Sequence, residues 1–360
     1  MAANWNSGTV PEPHLDVVNT DPSAAITIDS YVYRIADTEN FGGTLINNST
    51  IDNFGGTLTN HGTFDNGGTL NNRATINSNW IFTNSGTITN RGPLFNSGTL
   101  FNSGTLDNFS GLVSDGGPLH NSGTLTNENT LINDATLDNS GVFDVTATGV
   151  MSGTGSYTQT AGTTTVNGSL TQAGVAIDGG TLGGSGTITS AVTVDGGTVG
   201  PGNSPGLLQV FGDMDFLAGS TLALELGGLL FGTEYDRLDV ADDATTTGTV
   251  EGTVSLAAGT MFDIDWFGAF TAGDGDYFDV LVADEFAAFD LTTMIFDFSG
   301  AALGTGLAWE TALVDFGGGR EALRLAVVEE QVAAVPAPGM VLLFGLYLVG
   351  IGYARRKRTA

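Results

Sequence analysis

An apolar residue returns every six positions for a hundred residues. It runs Leu45, Ile51, Leu58, Phe64, Leu70, Ile76, Phe82, Ile88, Leu94, Leu100, Leu106, Leu112, Leu119, Leu125, Leu131, Leu137 and Phe143, with fourteen steps of six and two of seven. Around it the unit reads Gly-Thr-Leu-x-Asn-x, with Asn two places on at most units, as at Asn84, Asn102 and Asn121. A period of six gives a helix no continuous face, whereas in a strand Leu and the Asn two places on share one side. Each unit is then a short strand and a glycine corner, too small to bury its own Leu, and stacking the units buries a continuous column. Stacked coils lie ~4.8 Å apart, so equivalent Asn side chains can bond up and down as an amide ladder. The spacing predicts an all-β parallel β-solenoid over residues 43–145, with three hexads to a triangular coil. It places Ile76, Leu94, Leu112 and Leu131 in one stack. Asn77, Phe95, Val113 and Ile132 then face outward as a partly apolar stripe, covered by a loop or the next domain.

Composition sharpens the class. Glycine supplies 54 of 360 residues and charged residues only 14%, the first about twice and the second about half the ordinary share. At 41% hydrophobic the chain can build a core, so the glycine belongs to turns. A net charge of −29 leaves no basic footprint for nucleic acid. It suits an extracellular setting in which cations screen self-repulsion. With no cysteine, disulfides, thiolate zinc sites, iron–sulfur clusters and thiol nucleophiles are excluded.

Residues 1–42, with alternation at Ala25–Ile28 and Tyr31–Tyr33, read as an entry cap. No recognisable secretory signal stands at Met1, so an exported chain is expected to start upstream. From 146 to 232 the hexad gives way to longer units such as Gly180-Thr181-Leu182 and Leu222–Leu226, a β-helix stem. Residues 233–334 are acidic and aromatic, with strand alternation at Met261–Phe267 and Tyr277–Val282, and read as a β-sandwich-like cap. The stretch Gly200-Pro201-Gly202-Asn203-Ser204-Pro205-Gly206, with Tyr235-Asp236-Arg237-Leu238-Asp239-Val240 further on, resembles the distal passenger stem of autotransporter and haemagglutinin-type β-helix proteins over residues 178–282. That resemblance implies a right-handed β-helix and a surface adhesin. The outer-membrane barrel usual to such proteins is not expected here, because the residues after 282 are too few to build one.

Residues 335–360 have three parts: Val335-Pro336-Ala337-Pro338, an uncharged apolar run over 340–354, and Arg355-Arg356-Lys357-Arg358. As a helix the run rises about 22 Å, short of the ~30 Å bilayer core. The bases hold its end cytoplasmic and place the rest outside. This order resembles the PEP-CTERM sorting signal of Gram-negative bacteria, with Ala337 where the commonest form has Glu. The resemblance implies an exported chain held transiently in the inner membrane and cut near Pro336–Pro338 by an exosortase-type enzyme. Release would be to the cell surface or exopolysaccharide matrix, with exopolysaccharide or other surface proteins as partners.

Reactive constellations are few. Gly202-Asn203-Ser204-Pro205-Gly206 fits a nucleophile elbow in letters only: the residue after the serine must donate its N–H to the oxyanion, and Pro205 has none. His14, His61 and His120 lack partners at ligand spacing. Asp239, Asp242, Asp243, Asp274 and Asp276 are the one candidate calcium cluster, without an EF-hand loop; no other cofactor is expected. A uronate lyase needs converging bases, and Arg34, Arg73, Arg91, Arg237, Arg320 and Arg324 are far apart in sequence. The expectation is a non-enzymatic structural or adhesive surface protein, with no catalytic residues. The alternative is a secreted polysaccharide-active enzyme, glycosidase or lyase, recognisable by two carboxylates in a groove lined by aromatics such as Trp266 or Trp309.

Overall fold

The structure, a computed structural model, describes residues 14–15, 18–19, 21–32, 34–35, 37–242, 252–287 and 289–330. The sorting-signal residues Val335, Pro336, Ala337, Pro338, Arg355, Arg356, Lys357 and Arg358, the apolar run 340–354 and Asp243 lie outside them. Among the described residues no helix is long and apolar enough to cross a membrane.

The chain is a parallel β-solenoid. Three sheets of 12, 13 and 15 strands form its sides, and from Thr44–Asn47 to Met261–Trp266 each strand pairs with the one three strands later. Leu100 lies beside Phe82 and Leu119, for example, and Leu94 beside Ile76 and Leu112. Every apolar hexad residue from Leu45 to Phe143 is buried, Leu100 at 0% exposure. A buried Leu is worth about 2 kcal/mol relative to an exposed one. The column, too thin for any single coil to hold, therefore stabilises all of them together.

The corners explain the glycine. A Cβ on Gly68 would lie 2.0 Å from the carbonyl oxygen of Ser49, and one on Gly98 1.8 Å from that of Trp80. The coils touch backbone to backbone there, and only hydrogen fits.

The asparagines form the expected ladders. On the 13-stranded sheet Asn47, Asn66, Asn84, Asn102, Asn121 and Asn139 each pass an Nδ2–H to the Oδ1 of the next, at 2.6–2.7 Å. On the 12-stranded sheet Asn53, Asn72, Asn90, Asn108 and Asn127 do the same at 2.7–2.9 Å. The second Nδ2–H is used as well: Asn47 reaches the Thr69 carbonyl, Asn84 that of Thr105 and Asn102 that of Thr124. On the 15-stranded sheet Asn19, Asn40 and Asn60 are linked, but Ser78 and Ser114 interrupt the run. The Oδ1 atoms of Asn96 and Asn133 are left buried without a partner.

The outward stripe lies where the spacing puts it, with Asn77 beside Phe95, Phe95 beside Val113, and Val113 beside Ile132. Phe95 is exposed and the other apolar members are half-buried.

The acidic region is β-rich, and its organisation is finer than alternation reveals. Arg237–Ala241, Thr253–Leu256, Met261–Trp266, Tyr277–Ala283, Glu285–Phe286 and Ile295–Gly300 continue the three parallel sheets. Among the described strands the final hairpin, Leu307–Gly317 and Arg320–Glu329, turns antiparallel, and it pairs with Tyr277–Ala283. Alternation identifies a strand but not its neighbour, so the cap begins later than the sequence suggests. Under the hairpin, Trp266, Phe270, Phe278, Phe298 and Trp309 pack at centroid distances of 4.9–6.2 Å.

Candidate functional site

Where the last parallel coils meet the hairpin, the chain leaves its repeat. After Thr221–Leu226 a loop swings out, closed by Gly227 N–H donating to the Glu234 carbonyl at 2.6 Å. The Glu234 carboxylate takes the N–H groups of Leu229 and Leu230, at 2.9 and 3.1 Å. That clasp turns Leu229, Leu230 and Phe231 to solvent, Phe231 at 50% exposure. With Tyr277 and Phe316, also exposed, they rim an apolar patch of the kind that marks an interaction site.

Beneath the rim is a cavity of about 350 Å³ whose lining includes Phe231, Tyr235, Arg237, Tyr277, Asp279 and Phe316, within the size range of ligand pockets. Arg237 is 5% exposed. Its guanidinium lies 4.3 Å from the Phe231 ring centre and 4.7 Å from that of Phe316, held by Asp239 at 2.5 Å. Aromatic faces attract such a cation. Arg324 sits 3.9 Å over the Tyr277 ring and grips Asp279 with Nε at 2.7 Å and Nη2 at 2.9 Å. Arg320 reaches Asp239 at 2.6 Å and Asp284 at 2.7 Å. The fold thus brings together Arg237, Arg320 and Arg324, which are distant in sequence: Arg320 and Asp239 lie 81 residues from each other. Each arginine meets a carboxylate, so the site presents aromatic faces and neutralised pairs.

Asp236 lies just before this strand, buried at 3% exposure. Its oxygens accept from Gly206 N–H at 2.6 Å and Glu225 N–H at 2.9 Å. Burial pushes its carboxyl up to about 7, against the two backbone bonds, and the nearby Glu225 charge adds to the rise. The Gly206 contact anchors the turn that mimics a nucleophile elbow, and a strand, Leu207–Phe211, comes after it where an elbow would open a helix.

The candidate calcium ligands are dispersed. Asp239 is taken by Arg237 and Arg320, Asp274 accepts Glu329 N–H and Asp276 accepts Gly273 N–H. Among the described residues no three acidic or histidine side chains are arranged to hold a metal ion. His61 stacks on Phe41 at 5.5 Å, and His120 stacks on Phe101 and pairs with Asp138 at 2.9 Å. Trp266 and Trp309 lie against each other, their indole N–H groups given to the carbonyls of Ala302 and Ala301. They pack the cap rather than line the cavity.

Sequence reasoning missed Phe231, Tyr277 and Phe316, and it missed Trp80. The last had a signal. Trp80 occupies the hexad corner position that is Gly, Ala or Ser in most units. No protein-family model matches this chain, and no curated protein matches its sequence.

Proposed function

We propose that the chain is an exported, non-enzymatic structural or adhesive component of the cell surface or exopolysaccharide matrix. The observation that carries this reading is the order of residues 335–360, proline motif, apolar run and four bases, joined to a rod of stacked coils. The rod presents three long faces and a hydrophobic rim at the cap, a form suited to display and contact. In this reading an exosortase-type enzyme cuts at Val335–Pro338 while Arg355, Arg356, Lys357 and Arg358 hold the segment at the inner membrane. Matrix polysaccharide and other surface proteins are the partners.

The packing of Trp266 and Trp309 into the cap supports a non-enzymatic role, as does the Arg324 clasp on both oxygens of Asp279. Mass spectrometry of the mature surface form tests the proposal. A terminus within residues 335–339 is expected, and an intact chain ending at Ala360 in the matrix would overturn it. Polysaccharide depolymerisation by the purified protein, abolished by one Asp or Glu substitution, would replace it with the enzymatic reading.

A further inference from the structure

One corner of the solenoid departs from the repeat twice. Between the 15-stranded and 13-stranded sheets, Ser78 stands where the ladder wants Asn, and two residues on Trp80 stands where most corners have a small residue. The indole is 59% exposed, a large apolar surface that the fold does not use. Beside it Ser97 is exposed and Thr99 half-buried, which puts two hydroxyl-bearing side chains at the edge of the indole.

These groups share a cleft of about 370 Å³ with Asn79, Gly98 and Pro118. Gly98 in the next coil packs its backbone on that of Trp80 and carries no side chain that could cover the indole. None of the lining side chains carries a charge, on a chain whose net charge is −29. Planar side chains continue from it along the same corner: Asn79 contacts the His61 ring at 3.4 Å, and His61 stacks on the exposed Phe41.

We infer that the Trp80 corner is a binding cleft for a neutral glycan, whose pyranose face lies on the indole while its hydroxyls bond to Ser97, Thr99, Asn79 and the indole N–H. Three features set the ligand class. A flat aromatic face with hydroxyl and amide side chains at its edge matches a sugar, apolar on its ring face and polar around its rim. An uncharged lining offers no counter-charge to an acidic ligand, and the surrounding negative charge repels one. The planar groups run along the long axis of the rod, so an extended polymer can lie along them. The inference draws on the surface-component reading only in expecting glycans near the molecule.

The test uses the purified full chain in isothermal calorimetry and saturation-transfer NMR, with cellohexaose, laminarihexaose and mannohexaose as neutral probes and oligogalacturonate as the acidic one. Binding of at least one neutral hexasaccharide is expected. Trp80→Ala should weaken it at least tenfold, Trp80→Phe only a few-fold, and joint replacement of Ser97 and Thr99 by Ala by an intermediate factor. Phe231→Ala, in the cap pocket, should leave it unchanged. Trp80 is exposed, so an unaltered thermal midpoint in Trp80→Ala is the folding control, with Trp80→Phe and the indole N–H shift of the unaltered chain as independent readouts.

Silence with all three neutral probes, preference for oligogalacturonate, or undiminished binding by Trp80→Ala overturns the inference. So does concentration-dependent self-association abolished by Trp80→Ala, which would make the corner a contact between copies. None of these outcomes alters the terminus found by mass spectrometry, so the cleft and the sorting reading fail separately.

Discussion

The side-chain amide of Asn102 donates to Asn121 Oδ1 at 2.7 Å and to the Thr124 carbonyl at 2.8 Å, while its own Oδ1 accepts from Asn84. One buried side chain therefore ties three successive coils. From the ladder bonds alone, Asn102→Ala would cost about 1–2 kcal/mol. With the carbonyl bond included, and Asn121 Oδ1 left without its ladder donor, the expected loss rises to about 2–3 kcal/mol. Denaturant unfolding of the two proteins measures it, and a loss below about 0.5 kcal/mol would show the ladder to be passive.

Ser78 supplies the opposite experiment. Its Oγ is buried without a partner, as is the Oδ1 of Asn96 in the neighbouring coil, and Asn60 lies on the other side. Ser78→Asn should complete that part of the third ladder and raise stability by about 1–2 kcal/mol. A lower thermal midpoint would mean the corner cannot accept the larger side chain.

Leu100→Asn puts an amide between Phe82 and Leu119 in the apolar column. The expected cost is about 3–5 kcal/mol, combining lost burial with an unmatched polar group. Coils in a solenoid contact mainly their neighbours. Hydrogen exchange should therefore rise first in strands Ile81–Asn84, Thr99–Asn102 and Leu119–Asn121, and a uniform rise along the rod would contradict nearest-neighbour coupling.

Asp236 makes stability depend on pH. The folded carboxyl titrates at about 7 against 3.8 for an ordinary aspartate, so between these values the native state holds a proton that the unfolded chain has released. Stability is then highest near the acid side of this window, falls as pH rises toward 7, and levels off above it. The Asp236 share is about 2–4 kcal/mol. Thermal midpoints at pH 5, 6, 7 and 8 should decline in the native protein and decline less in Asp236→Asn, whatever the variant's absolute stability. Parallel curves would remove Asp236 as the cause.

Arg324→Ala leaves the Asp279 carboxylate, 6% exposed, without its bidentate partner. The Arg324 side chain is itself 30% exposed, so the expected cost is about 2 kcal/mol, below the range for fully buried pairs. The hairpin should detach first. Limited proteolysis between Gly317 and Arg320 reads that out, and unchanged cleavage would show that the aromatic cluster alone holds it.

How far the fold could be read beforehand depends on repetition. From Leu45 to Phe143 one residue type recurs at one spacing, and the face, the ladder and the stacking partners all derive from that period. Beyond Asp236 no period remains, and strand pairing there depends on residues far apart, such as Arg324 with Asp279, which local alternation cannot link. The cap pocket was hidden for the same reason, since Phe231 and Phe316 meet Arg237 only through the fold. Trp80 was legible as a break in a pattern.

The three faces of the solenoid are built from one interchangeable unit, and this separates two properties that most folds tie together. Removing a whole coil, residues 85–102 for example, would rejoin apolar to apolar on every side and Asn to Asn on two of them, with Ser78 meeting Ser114 on the third, shortening the rod by one strand spacing, ~4.8 Å. Removing a single hexad would also rejoin like to like, but every later strand would move to the next side. The cap and its arginine pocket would then turn by a third of a revolution relative to the Trp80 corner. Reach and bearing are set in this chain by counting, in steps of three units and of one.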